Sequence, residues 1–103
     1  MLLQLIRIKG PSMVPTLRNG DAVVVRRGGR IRVGDVVIGR FDEVPGLVVK
    51  RAVRAVGDRW WLESDNEFVT DDSRRHGPAV VDGRVLLRYL PFRTLGRLRP
   101  SPR

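Results

Sequence analysis

The chain has 103 residues, room for one domain with a modest core and too few for two. A hydrophobic fraction of 42% describes a folding chain, and the absence of cysteine excludes disulfides and thiolate metal sites while leaving the redox compartment open. The formal net charge of +9 is carried almost entirely by arginine. Such a charge suits a nucleic-acid or membrane-surface binder. The arginines are spread along the chain, however, and no aromatic platform or recognition motif accompanies them. A solvated basic surface is the better reading, and no nucleic-acid partner is expected.

In chain order, Leu3, Leu5 and Ile6–Ile8 predict a first strand, stopped by Gly10-Pro11. This apolar stretch is broken by Gln4 and Arg7, where a bilayer span needs about 20 apolar residues. It also lacks the long apolar region and cleavage site of a secretory signal, so the sequence reads as a soluble protein. The loop Pro11–Leu17 follows, with a turn at Asn19-Gly20. Ala22–Arg26 and Val36–Phe41 predict strands on either side of Gly28-Gly29. After Pro45-Gly46, the run Leu47–Val56 has so few polar residues that it predicts a strand buried on both faces.

Gly57-Asp58 turns the chain into Arg59–Glu63, where Trp60 and Trp61 point to opposite faces, one of them toward the core. Ser64–His76 is polar and predicts a long ordered loop, the kind that is functional when it occurs inside a compact domain. A turn at Asp82-Gly83 and a last strand Arg84–Leu90 precede Pro91. The predicted fold is all-β, a single small domain over residues 1–91 with no long helix. A basic, proline-containing tail over 92–103 is expected to be mobile at its end.

Ser12 is a hydroxyl in a rigid loop between two prolines, and a serine nucleophile needs a neighbouring base to take its proton. The one histidine, His76, lies in Arg74-Arg75-His76-Gly77-Pro78 and reads as a surface residue. The chain has two lysines, Lys9 beside the serine loop and Lys50 within the most apolar strand. Val48 and Ala52 flank Lys50 on its own side of the strand, and burial there disfavours the ammonium and yields a competent base. The alternative is a lysine that snorkels to solvent. The residues alone leave both open.

Gly10-Pro11-Ser12-Met13-Val14-Pro15-Thr16-Leu17 resembles the serine box of the type I signal peptidase family, Ser-Met-x-Pro-Thr-Leu. Gly34-Asp35-Val36-Val37, Val49-Lys50-Arg51, then Asp65-Asn66 with Asp72-Ser73-Arg74 and Gly77, resemble its remaining boxes in the family's order. The resemblance implies a coiled β-sheet or partly open barrel, shared with repressor-type proteases. It also implies a Ser/Lys dyad in which Ser12 is the nucleophile and Lys50 the general base, working without cofactor or metal. Thr70 falls where the family has the serine that holds the lysine. The Ser12 N–H would supply one oxyanion donor, with Gly10 at the position of a second donor in some members. Met13 would line the cleft, and Asp72, Ser73 and Arg74 would support it.

The chain departs from the pattern at Ser64, where the family has glycine, and in lacking a membrane anchor and a second β-domain. The short form resembles the maturation proteases of nickel-type superoxide dismutase. The expected function is therefore a soluble, bacterial cytoplasmic endopeptidase that removes a short leader from that precursor. The alternatives are peripheral processing of membrane-delivered leaders and a non-catalytic basic binding module on the same fold.

Overall fold

A computed structural model describes residues 2–89. The predicted tail lies outside the described residues, as does the end of the last predicted strand. Six strands form one antiparallel sheet: β1 (Leu2–Arg7), β2 (Ala22–Arg27), β3 (Val36–Arg40), β4 (Val48–Val56), β5 (Arg59–Glu63) and β6 (Val80–Tyr89). Their spatial order is β1-β2-β6-β3-β4-β5, and the sheet is not closed. The all-β, single-domain expectation holds. Most strands fall where valine and isoleucine cluster between glycine and proline turns, since branched side chains pack well on a half-buried pleat.

The sheet coils until Trp60 of β5 exchanges backbone hydrogen bonds with Ala79, just before β6 (3.0 and 2.8 Å). This curl encloses one core of Val37, Phe41, Ala52, Leu62 and Ala79, against which Trp60 packs. A second core joins Val23, Val25 and Ile38 to three residues of the β1–β2 connection, Ile8, Met13 and Leu17. The connection thereby becomes a fixed structure: Met13 and Leu17 are buried in the sheet's core and anchor the loop that carries Ser12.

Three local expectations are corrected. Asp82-Gly83 is not a turn; β6 runs through it, and Asp82 bonds Arg40 of β3 through both carboxylate oxygens (2.9 and 3.1 Å). Gly83 is there because the Arg26 carbonyl of β2 occupies the space a Cβ would need, the close approach that glycine permits within a strand. The run Leu47–Val56 is not buried on both faces: Lys50 and Ala52 are buried, their neighbours half-buried, and Arg54–Val56 exposed. The strand is paired on both sides, with β3 and β5, but only one face of it is covered by the core and its last three residues reach solvent. The polar stretch after β5 is not all loop, for α1 (Ser73–His76) makes one turn, capped by the Asp72 side chain on the Arg74 N–H.

Candidate active site

The Ser12 loop is tied at both ends. The Ile8 N–H donates to the Asp21 carbonyl (2.7 Å) and the Gly20 N–H to the Ile8 carbonyl (2.8 Å), closing the base of the loop. Asn66 ties the top, its backbone N–H donating to the Ser12 carbonyl (2.9 Å) and its side-chain amide to the Pro11 carbonyl (3.0 Å). Ser12 and Met13 share a cavity of about 440 Å³ with Ile6, Ile8, Val48 and Val49. Lys50 lines the same cavity, as does the exposed Lys9.

Lys50 is buried, so it does not snorkel. Burial pushes its amine below the ordinary lysine range; the charges of Asp72 and Asp71 oppose that push, and Arg74 adds to it. Among the described residues Lys50 Nζ is hydrogen-bonded to Ser64 Oγ (3.0 Å) and not to Ser12. The hydroxyl on the lysine is therefore Ser64, not the expected Thr70. Thr70 is exposed and uses its backbone carbonyl to accept from the Asp72 N–H (2.9 Å), which directs the chain around the α1 cap and its side chain outward.

Gly10 also departs from expectation. Its N–H donates to Asn19 Oδ1 (2.9 Å) and is thus engaged within the turn, with φ at +83°, a backbone shape that suits glycine. The Ser12 N–H has no acceptor among the described residues. His76 bonds Asp71 (2.6 Å) and packs on Phe41 with ring centroids 5.0 Å apart; it does not line the cavity.

The remaining resemblance motifs meet one another through Arg51 and through Asp72. Arg51, next to Lys50, forks onto both oxygens of Asp65 (3.1 and 2.6 Å) and donates to the Gly34 carbonyl (2.8 Å). Asp65 also accepts from the Thr16 hydroxyl, so the serine, Gly-Asp, Lys-Arg and Asp-Asn boxes close into one polar ring. Burial pushes the Asp65 carboxyl up, but Arg51 and Thr16 outweigh it and hold the group below its ordinary range.

Asp72 is fully buried, ion-paired to Arg74 (2.7 Å), and accepts the Ser64 N–H (2.8 Å). Here too burial acts upward, while the Arg74 guanidinium and the Ser64 and Arg74 N–H groups hold the carboxyl at about 2. Ser73, buried beside it, accepts the Leu62 N–H through its hydroxyl (2.8 Å). Sequence reasoning missed Ser64, Asn66 and the Thr16–Asp65–Arg51 ring. Ser64 carried a signal, as the residue that departs from the pattern.

An open, coiled all-β sheet with a serine loop facing a buried lysine across an apolar-walled cavity is a peptidase-class arrangement. A family model for Peptidase S24-like proteins matches residues 3–85, and the chain belongs to that family. It is 30% identical to the mitochondrial inner membrane protease subunit 1 of Xenopus tropicalis, over 96% of this chain and 76% of that protein. The Homo sapiens subunit 1 is 30% identical, with 94% and 75% covered. The mitochondrial ATP-independent inner membrane protease subunit 1a of Arabidopsis thaliana is 31% identical, with 95% and 77% covered. These relatives are named as proteases, which agrees with the peptidase class; their names make no reference to nickel superoxide dismutase.

Proposed function

We propose that the chain is a serine endopeptidase that removes amino-terminal leaders from precursor proteins through a Ser12/Lys50 dyad. One observation carries this reading: a serine and a buried lysine, its amine pushed toward neutrality, line one apolar cavity. In the neutral form Lys50 takes the Ser12 proton as Oγ attacks the scissile carbonyl, and the Ser12 N–H faces the oxyanion. Lys50 then passes that proton to the leaving amine, the C–N bond breaks, and an ester remains on Ser12. Water, deprotonated by the same amine, attacks the ester; the acid product leaves and Ser12 regains its proton. An extended substrate is captured by pairing with the open sheet edges.

The finer substrate proposal is the nickel-type superoxide dismutase precursor, processed in the bacterial cytoplasm. Incubating the protein with that precursor, beside other leader-bearing precursors, and mapping new amino termini by mass spectrometry tests both levels. A single new terminus on the dismutase precursor is expected. Cleavage of other leaders alone removes the finer proposal, and no cleavage of any removes the broader one.

A second reading, processing at a membrane surface, rests on a different observation. Leu5 of β1, Val24 of β2 and Leu87 of β6 stand in register, and both leucines are exposed, as is Leu3. Among the described residues no helix is long and apolar enough to cross a membrane, and this reading assigns the contact to the exposed leucine face. Flotation with anionic vesicles decides it: the reading predicts co-flotation that Leu3→Ser with Leu87→Ser abolishes, and failure to float in every lipid mixture removes it.

A further inference from the structure

We infer that Ser64 is the positioning residue for the Lys50 amine in this chain, the task that the family resemblance assigns to Thr70. The inference rests on the reading of Lys50 as base and adds to it.

The placement follows from the ladder. β4 and β5 pair with Arg51 opposite Glu63, the last residue of β5, and extending that register by one step beyond the strand brings Ser64 opposite Lys50. Residues directly opposite on an antiparallel pair have neighbouring side chains on one face. Ser64 Oγ accordingly lies 3.0 Å from Lys50 Nζ. The Ser64 backbone is itself held, its N–H donating to Asp72 Oδ2 at 2.8 Å, and Asp72 is fully buried and braced by Arg74. A glycine at this position, as in the family pattern, has no hydroxyl to offer. Thr70, exposed and with its hydroxyl unbonded among the described residues, does not offer one either. The chain carries the hydroxyl on this amine six residues earlier, at Ser64.

The chemistry suits a base on a flexible stem. A lysine amine swings on four rotatable bonds, and a fixed hydroxyl narrows that to one direction. Ser64 Oγ accepts a hydrogen bond from the ammonium and, once the amine is neutral, still accepts one N–H, leaving the nitrogen lone pair free to turn to Ser12. The charged groups acting on this amine are Asp71 and Asp72, which favour the ammonium, and Arg74, which disfavours it. Arg7 and Lys9 line the same cavity. Losing an acceptor from the ammonium leaves burial less opposed, so the amine gives up its proton at lower pH.

The test is an NMR titration of the lysine side-chain nitrogens, read without substrate, alongside steady-state cleavage. The chain has two lysines, so Lys9 serves as an internal reference. In Ser64→Ala the Lys50 midpoint moves to lower pH, and kcat falls about tenfold or more with KM little changed, the signature of a misaimed base. Ser64→Thr restores both, and Thr70→Val alters neither. An unmoved Lys50 midpoint in Ser64→Ala overturns the inference whether or not the chain is a protease, as does a Thr70→Val variant that moves it. A fall in kcat that Ser64→Thr does not repair shows a structural role only and also overturns it. Retained cleavage in Lys50→Ala sinks the dyad itself, a failure that the substrate-free titration keeps separate from that of Ser64.

Discussion

Lys50 is a cation in a setting that disfavours its charge, and the pH dependence of cleavage follows from that. Burial lowers its affinity for the proton, so the fraction of neutral base rises with pH from below the ordinary lysine range. We expect kcat/KM to climb with pH along one ionisation; a profile flat down to about pH 5 would contradict a lysine base. Asp72 works with the opposite sign. Its carboxyl is held at about 2 in the folded state, below the ordinary value near ~3.9. The stability it contributes, about 2 kcal/mol, is therefore complete above about pH 4 and is lost as pH falls toward 2. Asp72→Asn should lower the melting temperature at pH 7 and flatten its decline between about pH 4 and pH 2. An unchanged acid limb in that variant would show that other carboxylates set it.

At this scale Ser12 and Lys50 were legible as candidates, a serine between prolines and a lysine among valines, but the residues alone left Lys50 open between a buried base and a lysine that snorkels. The order of the motifs favoured the base, and the burial of Lys50 removes snorkelling. Ser64 stood out only as a departure from the family's glycine, and its role became visible only where its hydroxyl meets the Lys50 amine. Gly10 reads as a possible donor in sequence, and only the Asn19 side chain shows its N–H to be occupied.

Among the elements, strand positions were legible from branched residues between turn formers, and β2, β3, β4 and β5 lie within a residue of their expected bounds. The trouble came from glycine, which marks both turns and close approaches. Gly83 was read as a turn, yet it lies inside β6, against the Arg26 carbonyl, where the register with β3 also shifts. Gly83→Ala should therefore destabilise the fold by about 2–3 kcal/mol, measured by urea denaturation. A turn position that merely tolerates glycine would change by much less. The single turn α1 escaped prediction because four residues carry no helical period; its cap at Asp72 is the local signal that was present. Trp60 and Trp61 divide as alternation requires: Trp60 packs on the inner core, and Trp61 lies under Arg54 at 4.4 Å while donating to Glu63.

For the whole molecule, the order of motifs along the chain becomes a ring in space. Thr16, Gly34, Arg51 and Asp65 are separated in sequence yet joined by hydrogen bonds through Arg51, the residue after Lys50. This convergence explains why the four boxes were more informative together than any one alone: each supplies one side of a support. Arg51→Ala removes the centre of that ring and should lower stability by about 2 kcal/mol, seen by calorimetry, and kcat with it. Full activity in that variant would show the ring to be dispensable.

The central claim is that Lys50 is the base for Ser12. Single-turnover cleavage of a leader-bearing precursor by Lys50→Ala, compared with the unaltered chain and with Ser12→Ala, tests it most directly. The account predicts that both variants keep the β-sheet circular-dichroism spectrum and lose cleavage by about 10³-fold or more. A folded Lys50→Ala protein that still cleaves at most of the original rate would contradict it.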